Sequence, residues 1–156
     1  RQGLEERVAI PLHGLLDDLS QAQAARIHGA GVQVENQVAA GLQVRGERFL
    51  LRQALSNLLD NALDFTPPGG VLRWSARGEG EQLWVCLFNS APAIPDYALP
   101  RLTERFYSLP RPNTGRKSTG LGLNFVQEVA SLHGGALQVS NVPGGVEVCL
   151  RLPAVG

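Results

Sequence analysis

The sequence predicts an α+β fold: a two-layer α/β sandwich in which helices cover one face of a mixed, mostly antiparallel sheet. Two kinds of segment predict it. Apolar and polar residues alternate in "VLRWSARGEG" and "EQLWVCLFN" on either side of a Gly-Glu-Gly turn, and again in "ALQVSN" and "VEVCLRLP" around Pro-Gly-Gly, so each pair reads as a hairpin. Helical periodicity fills the intervals: a long amphipathic stretch over roughly 47–65, and a second helix that is capped by Ser118 or Thr119, opens at "GLGL" and stops at Gly134 and Gly135. A chain of 156 residues is enough for one compact core with an appended helical segment.

The remaining segments follow the same logic. Residues 4–28 carry Leu, Val and Ile at mixed three-and-four spacing interrupted by Pro11 and Gly14, which predicts two helical pieces meeting at a break. "GVQVENQVAAGLQVRG" alternates around an Ala-Gly turn and predicts a hairpin or two short strands. Residues 90–118 hold five prolines, few large apolar side chains and a basic cluster, the composition of a long functional loop with one short helix near Asp96 to Arg105.

Composition excludes several functions. Lys plus Arg and Asp plus Glu are 14 each, so no net field draws the chain to nucleic acid or to an anionic membrane. No apolar run is long enough to span a bilayer. The chain opens on Arg1 and contains no Met, which suggests a segment of a longer protein. Cys86 and Cys149 each sit in an apolar strand-like run without metal spacing; both are expected to be buried free thiols, pointing to a reducing compartment. The three histidines lack partners at ligand spacing, so no metal site is expected on them.

Two constellations carry chemistry. On the long helix, Gln53, Asn57, Asn61 and Asp64 recur at offsets of four, four and three beside the apolar stripe of Leu51, Leu55, Leu58 and Ala62. Asparagine is a poor helix former, but its carbonyl oxygen binds a hard cation and its amide donates to phosphate. The second constellation is "GRKSTGLGL", 115–123, where glycines at a helix start let backbone approach a ligand, unpaired N–H groups favour an anion, and Arg116 and Lys117 add charge. It is not a P-loop, because Arg116 separates Gly115 from Lys117.

Together these motifs resemble the catalytic ATP-binding domain of bacterial two-component sensor histidine kinases, the HATPase or GHKL group. "NLLDNA" is similar to that family's N box, "ERFYSL" to its F box and "STGLGL" to its second glycine box, and "IPDYALPRLTERFYSLPRP" followed by "GRKSTGLGL" is similar to the CreC-type branch. The resemblance runs from about Gly31 to Pro153 and implies a Bergerat fold, a mixed sheet with three helices and a mobile lid. It implies that residues 1–28 end a dimerisation helix and connector, and that 29–156 form the catalytic domain. It implies ATP and Mg²⁺ as ligands, with Asn57 and Asn61 on the metal and phosphates, and Arg105, Arg116 and Lys117 neutralising the triphosphate. The rest of the implied binding set is Asp64, Asn89, Ala91, Ala93, Ile94, Tyr107, Ser118, Thr119, Gly120, Leu121, Gly122 and Leu123. No residue of the segment is expected to act covalently. The implied partners are the chain's own dimerisation and phosphoacceptor domain, a response regulator receiver domain and a second copy in a homodimer, with no nucleic acid and no membrane contact by this segment. The implied location is the cytoplasmic domain of an inner-membrane sensor.

The sequence also departs from the family. Its first glycine box, Asp-x-Gly-x-Gly, is here "NSAPAI": Asn89 replaces the aspartate that accepts from the adenine amino group, and Ala91 and Ala93 replace the glycines. A neutral acceptor makes a weaker bond than a charged one, so ATP binding is expected to be present but weak. Asp64 stands where many relatives carry Lys, and a carboxylate there repels phosphate unless magnesium bridges them. Hydrolytic relatives place a glutamate four residues before the metal-binding Asn, where this chain has Asn57, which cannot take a proton. His13 in "HGLLDD" does not match the family's acceptor box and is expected to be a helix-surface or packing residue. The alternative is an interaction module that kept the fold and lost the nucleotide, favoured only by the altered glycine box.

Overall fold

The computed structural model describes residues 6–104 and 122–155. In chain order the elements are β1 (Val8–Pro11), α1 (Leu12–Ala22), α2 (Ala24–Ala30), β2 (Gln33–Asn36), β3 (Gln43–Gly46), α3 (Arg48–Phe65), β4 (Val71–Glu79), β5 (Gln82–Ser90), α4 (Gly122–Leu132), β6 (Ala136–Val142) and β7 (Gly145–Pro153). Five strands form one sheet in the order β2-β4-β5-β7-β6, with β2 parallel to β4 and every other pair antiparallel. The expected mixed, mostly antiparallel sheet and helix layer are both present.

Strand alternation decides which side faces the helices. Leu83, Val85 and Leu87 of β5 join the main core with Leu72 and Trp74 of β4 and Leu150 and Leu152 of β7. Against them pack Leu12, Leu16 and Leu19 of α1, Leu51, Leu55, Leu58 and Leu59 of α3, and Val126 and Val129 of α4. The opposite face carries Trp84, Cys86 and Cys149 as a separate small cluster, with the Arg77 and Arg151 guanidiniums 5.5 and 5.9 Å from the Trp84 ring. Such cation–π contacts cover an aromatic that no helix shields.

Both C-terminal hairpins form as expected, and α3 begins where the sequence places it. Its N-cap is Glu47, whose carboxylate accepts from Leu50 N at 2.6 Å. α4 is closed just beyond Leu132 by Gly134, φ 74°, with Gly135 N returning to Ala130 O at 2.8 Å. A side chain at Gly135 would strike the Arg151 carbonyl, so this glycine lets the chain pass close to β7 as it leaves α4 for β6.

Three expectations are corrected. Residues 4–28 are not two helices broken at Pro11 and Gly14: Pro11 ends β1, Gly14 lies within α1, and the break between α1 and α2 falls at Gln23. Ile10, Leu12, Leu15, Leu16 and Leu19 are core residues. Of the hairpin or two short strands expected after Gly31, the two short strands form: β2 joins the main sheet and β3 pairs with β1 in a separate two-stranded sheet. The expected helix near Asp96 to Arg105 is, among the described residues, a single 3-10 turn at Leu99–Arg101. Cys86 and Cys149 are not free thiols: they face each other across β5 and β7, Cα atoms 4.1 Å apart, and are joined in a disulfide. The reducing compartment read from them therefore loses its basis.

Candidate functional site

The site grows from the C-terminal half of α3. Asn57 and Asn61 are half-buried there, one turn apart beside a buried stripe that includes Leu55, Leu58 and Ala62. Gln53 Nε2 donates to Asn57 Oδ1 at 2.9 Å. That bond fixes the carboxamide orientation and leaves the oxygen a second lone pair for a ligand. Asp64 continues the row but is drawn sideways: its carboxylate meets Arg26 of α2 at 2.5 Å, and the same guanidinium meets Asp60 at 2.6 Å.

α4 brings the second constellation to the same level. His133, just past the end of α4, accepts from Glu47 N at 3.1 Å, so the C-terminus of α4 touches the N-terminus of α3 and the two run antiparallel. Eleven residues separate His133 from Gly122, so at equal rise the start of α4 lies level with about residue 58 of α3. Gly122 is therefore beside the turn carrying Asn57 and Asn61, on a neighbouring helix. Among the described residues, a Cβ at Gly122 would meet nothing within 4 Å. Leu123 is buried and anchors that end in the core. The Asn-bearing turn and the first described residues of α4, Gly122 and Leu123, thus lie at one level on the two helices.

The sheet supplies the floor. Successive cross-strand rows on its inner face are apolar, including Trp74, Leu87, Val148 and Val139, until the row Leu72, Asn89, Val146 and Asn141. Asn89 is buried, 6% exposed, at the end of β5, and its side chain makes no hydrogen bond among the described residues. Ser90, the next residue, lies at the C-terminus of α3: its Oγ accepts from Val71 N at 2.8 Å, and a Cβ on Gly70 would approach both Ser90 Oγ and Thr66 Cγ2 to 2.6 Å. The Asn89 carboxamide atoms are not among the fully buried polar atoms that lack a partner, which among the described residues are Trp74 Nε1, Gln82 Oε1 and Arg151 Nε, so the amide keeps some contact with solvent and is open to a polar ligand atom.

Ala91, Ala93 and Ile94 follow in an extended loop. Asn141 clamps it: Ile94 N donates to Asn141 Oδ1 at 2.8 Å and Asn141 Nδ2 donates to Ile94 O at 2.9 Å. Ala98 is fully buried, and Asn124 Nδ2 on the first turn of α4 donates to Thr103 O at 3.0 Å. Asn141 and Asn124 were missed by sequence reasoning. The available signal for Asn141 was an asparagine in a strand, where it is depleted; Asn124 gave none. Arg105, Tyr107, Arg116, Lys117, Ser118, Thr119, Gly120 and Leu121 lie outside the described residues, as do the expected F box and the cap of α4.

His13 is a packing residue, as expected. Its Nδ1 is 2.6 Å from Val38 O and its Nε2 3.3 Å from Asp17. His133 is the more constrained histidine. Burial is the main cause holding its pKa below the ordinary value of 6.5. Nδ1 lies 2.7 Å from Val129 O, and because Nε2 accepts from Glu47 N, the proton sits on Nδ1.

Residues 46–156 match the family described as histidine kinase-, DNA gyrase B- and HSP90-like ATPases. The chain belongs to this family. Within the HATPase family it is 53% identical over 112 residues to the sensor protein CreC of Escherichia coli K12, covering 71% of this chain and 23% of CreC. Among solved structures it resembles full-length ShkA in complex with AMPPNP, with TM-score 0.81 and 25% identity over 98% of this chain and 32% of that one. It shares the fold of histidine kinase ThkA in complex with the response regulator TrrA, with TM-score 0.80 and 21% identity over 96% and 42% of the two chains. The chain spans about a quarter to a third of the length of the curated relatives it matches. These HATPase relatives give no support to a nucleotide-free interaction module. No described helix is long and apolar enough to cross a membrane.

Proposed function

We propose that this chain is the ATP-binding catalytic domain of a sensor histidine kinase. The observation that supports it most is the side-by-side placement of the Asn57 and Asn61 turn and the Gly122 end of α4, with the unpaired Asn89 amide at the same end of the sheet. In this reading Asn61, assisted by Asn57, holds Mg²⁺ through carboxamide oxygens, the ligand class a hard cation takes. Magnesium, when bound, supplies positive charge to the phosphate oxygens. Asn89 accepts from the adenine amino group, and Ala91, Ala93 and Ile94 line the entrance to the base pocket. The stretch from Ser118 to Leu123, which leads into α4, is read as offering backbone N–H groups to the phosphates, with Arg105, Tyr107, Arg116 and Lys117 as further nucleotide-binding residues.

The transferred group is the γ-phosphoryl. Its bond to the β–γ bridging oxygen breaks, a bond to an imidazole nitrogen forms on a histidine in the dimerisation domain of the parent protein, and ADP leaves. Positioning and charge neutralisation account for the chain's contribution, since no side chain forms a covalent intermediate. With Asn57 in place of a general base, water is not activated and free phosphate release is slow. The parent protein is read as a homodimeric inner-membrane sensor with this domain in the cytoplasm, relaying phosphate to a receiver domain.

Calorimetry with Mg-ATP tests the reading. The parent chain binds more weakly than low micromolar, Asn61→Ala removes the magnesium-dependent part of the affinity, and Asn89→Asp tightens binding by about tenfold, the effect of roughly 1.4 kcal/mol from charging the acceptor. Absence of binding by the parent chain would refute the proposal, and low micromolar affinity would show that the altered glycine box is harmless.

A further inference from the structure

We propose that Arg26 is a positioning residue for the nucleotide site, acting through Asp64; the inference rests on the nucleotide reading above. Asp64 follows Asn61 by three residues, so the two side chains are neighbours on one helix face, and a free carboxylate there would repel a metal-bound triphosphate, which remains net negative. The structure answers that repulsion with a guanidinium from a different helix. Arg26 forks across the two carboxylates, NH1 to Asp60 at 2.6 Å and NH2 to Asp64 at 2.5 Å, and NH2 also donates to the Asp60 carbonyl at 3.3 Å. Three bonds to one turn of α3 fix the guanidinium, so Asp64 is both partly neutralised and held toward α2. Asp64 is the more sheltered carboxylate, its side chain 18% exposed against 46% for Asp60, so solvent screens it less. Arg26 lies outside the part of the chain that matches the ATPase family. It extends the functional unit into α2, a helix that contributes no buried residue to the core.

The test is a double-variant cycle read by Mg-ATP calorimetry, with thermal melting as the second readout. Arg26→Gln is expected to weaken Mg-ATP by about fivefold at low salt, with the deficit shrinking as ionic strength rises. Adding Asp64→Asn to Arg26→Gln is expected to restore affinity to within about twofold of the parent, because the neutral amide no longer repels phosphate. Arg26→Lys is expected to be intermediate, since an ammonium cannot fork across both carboxylates. A merely structural role would lower the melting temperature of Arg26→Gln and leave its affinity loss uncorrected by Asp64→Asn; that outcome, or unchanged affinity in Arg26→Gln, overturns the inference. Failure of the parent chain itself to bind Mg-ATP strikes the nucleotide reading instead, and the inference with it.

Discussion

At the scale of single residues, environment separates side chains of one type. His13 lies at the surface of α1, whereas His133 is 2% exposed with both ring nitrogens engaged by backbone. Protonating His133 would put a second hydrogen on Nε2, where it now accepts from Glu47 N, and would bury a charge. Its folded pKa is therefore lowered, so the unfolded chain takes up the proton first. The stability this histidine gives is complete above 6.5 and declines as pH falls from there through the folded value. Urea unfolding of the parent and of His133→Gln at pH values on either side of 6.5 should show a steeper acid loss in the parent. Equal slopes would mean that the imidazole is not buried neutral. The asparagines divide likewise: Asn141 is spent on backbone and Asn36 on backbone and Asp17, while the Asn89 side chain makes no hydrogen bond among the described residues.

At the scale of elements, the junction of β3, α3 and α4 sets the geometry of the site, because the antiparallel pairing of the two helices starts there. Gly46 makes the junction possible. A Cβ at this position would overlap Leu51 Cδ1 and lie 2.7 Å from His133 Nε2. Gly46→Ala should cost about 1–3 kcal/mol through overpacking, measured by denaturant unfolding, and should also weaken nucleotide binding by shifting α4 along α3. A variant as stable as the parent would show that the junction can relax. The element the sequence misassigns is a short one, β1 at four residues, and the pairing of β2 and β3, also four residues each, stays open in it. Four residues carry too little periodicity to tell a strand from a helix turn, and whether β3 pairs with β2 or β1 depends on where α1 lies.

At the scale of the whole molecule, the sheet is tied twice, by the helix-side core and by the Cys86–Cys149 bond across β5 and β7 on the other face. The bond closes a loop with a sequence separation of 63 residues. On the chain-entropy account, its loss should lower unfolding free energy by about 4 kcal/mol. Cys86→Ser with Cys149→Ser, or the parent under reductant, should therefore unfold at lower denaturant concentration, while Mg-ATP affinity changes little because the bond lies on the face away from Asn89. No change in the midpoint under reductant would remove the bond from the stability account.

What the sequence determined by itself is the set of long periodic elements and the chemistry they carry: α3 with its asparagine row, α4 behind glycines, two hairpins, and hence the ATPase family. These are local properties, since period and turn chemistry are written in neighbouring residues. The tertiary structure alone decided that residues 8–30 belong to the same body, that the two cysteines meet, and that Arg26 reaches Asp64. Each of these joins positions far apart in the chain, and such a contact depends on how the layers pack rather than on any nearby run of residues.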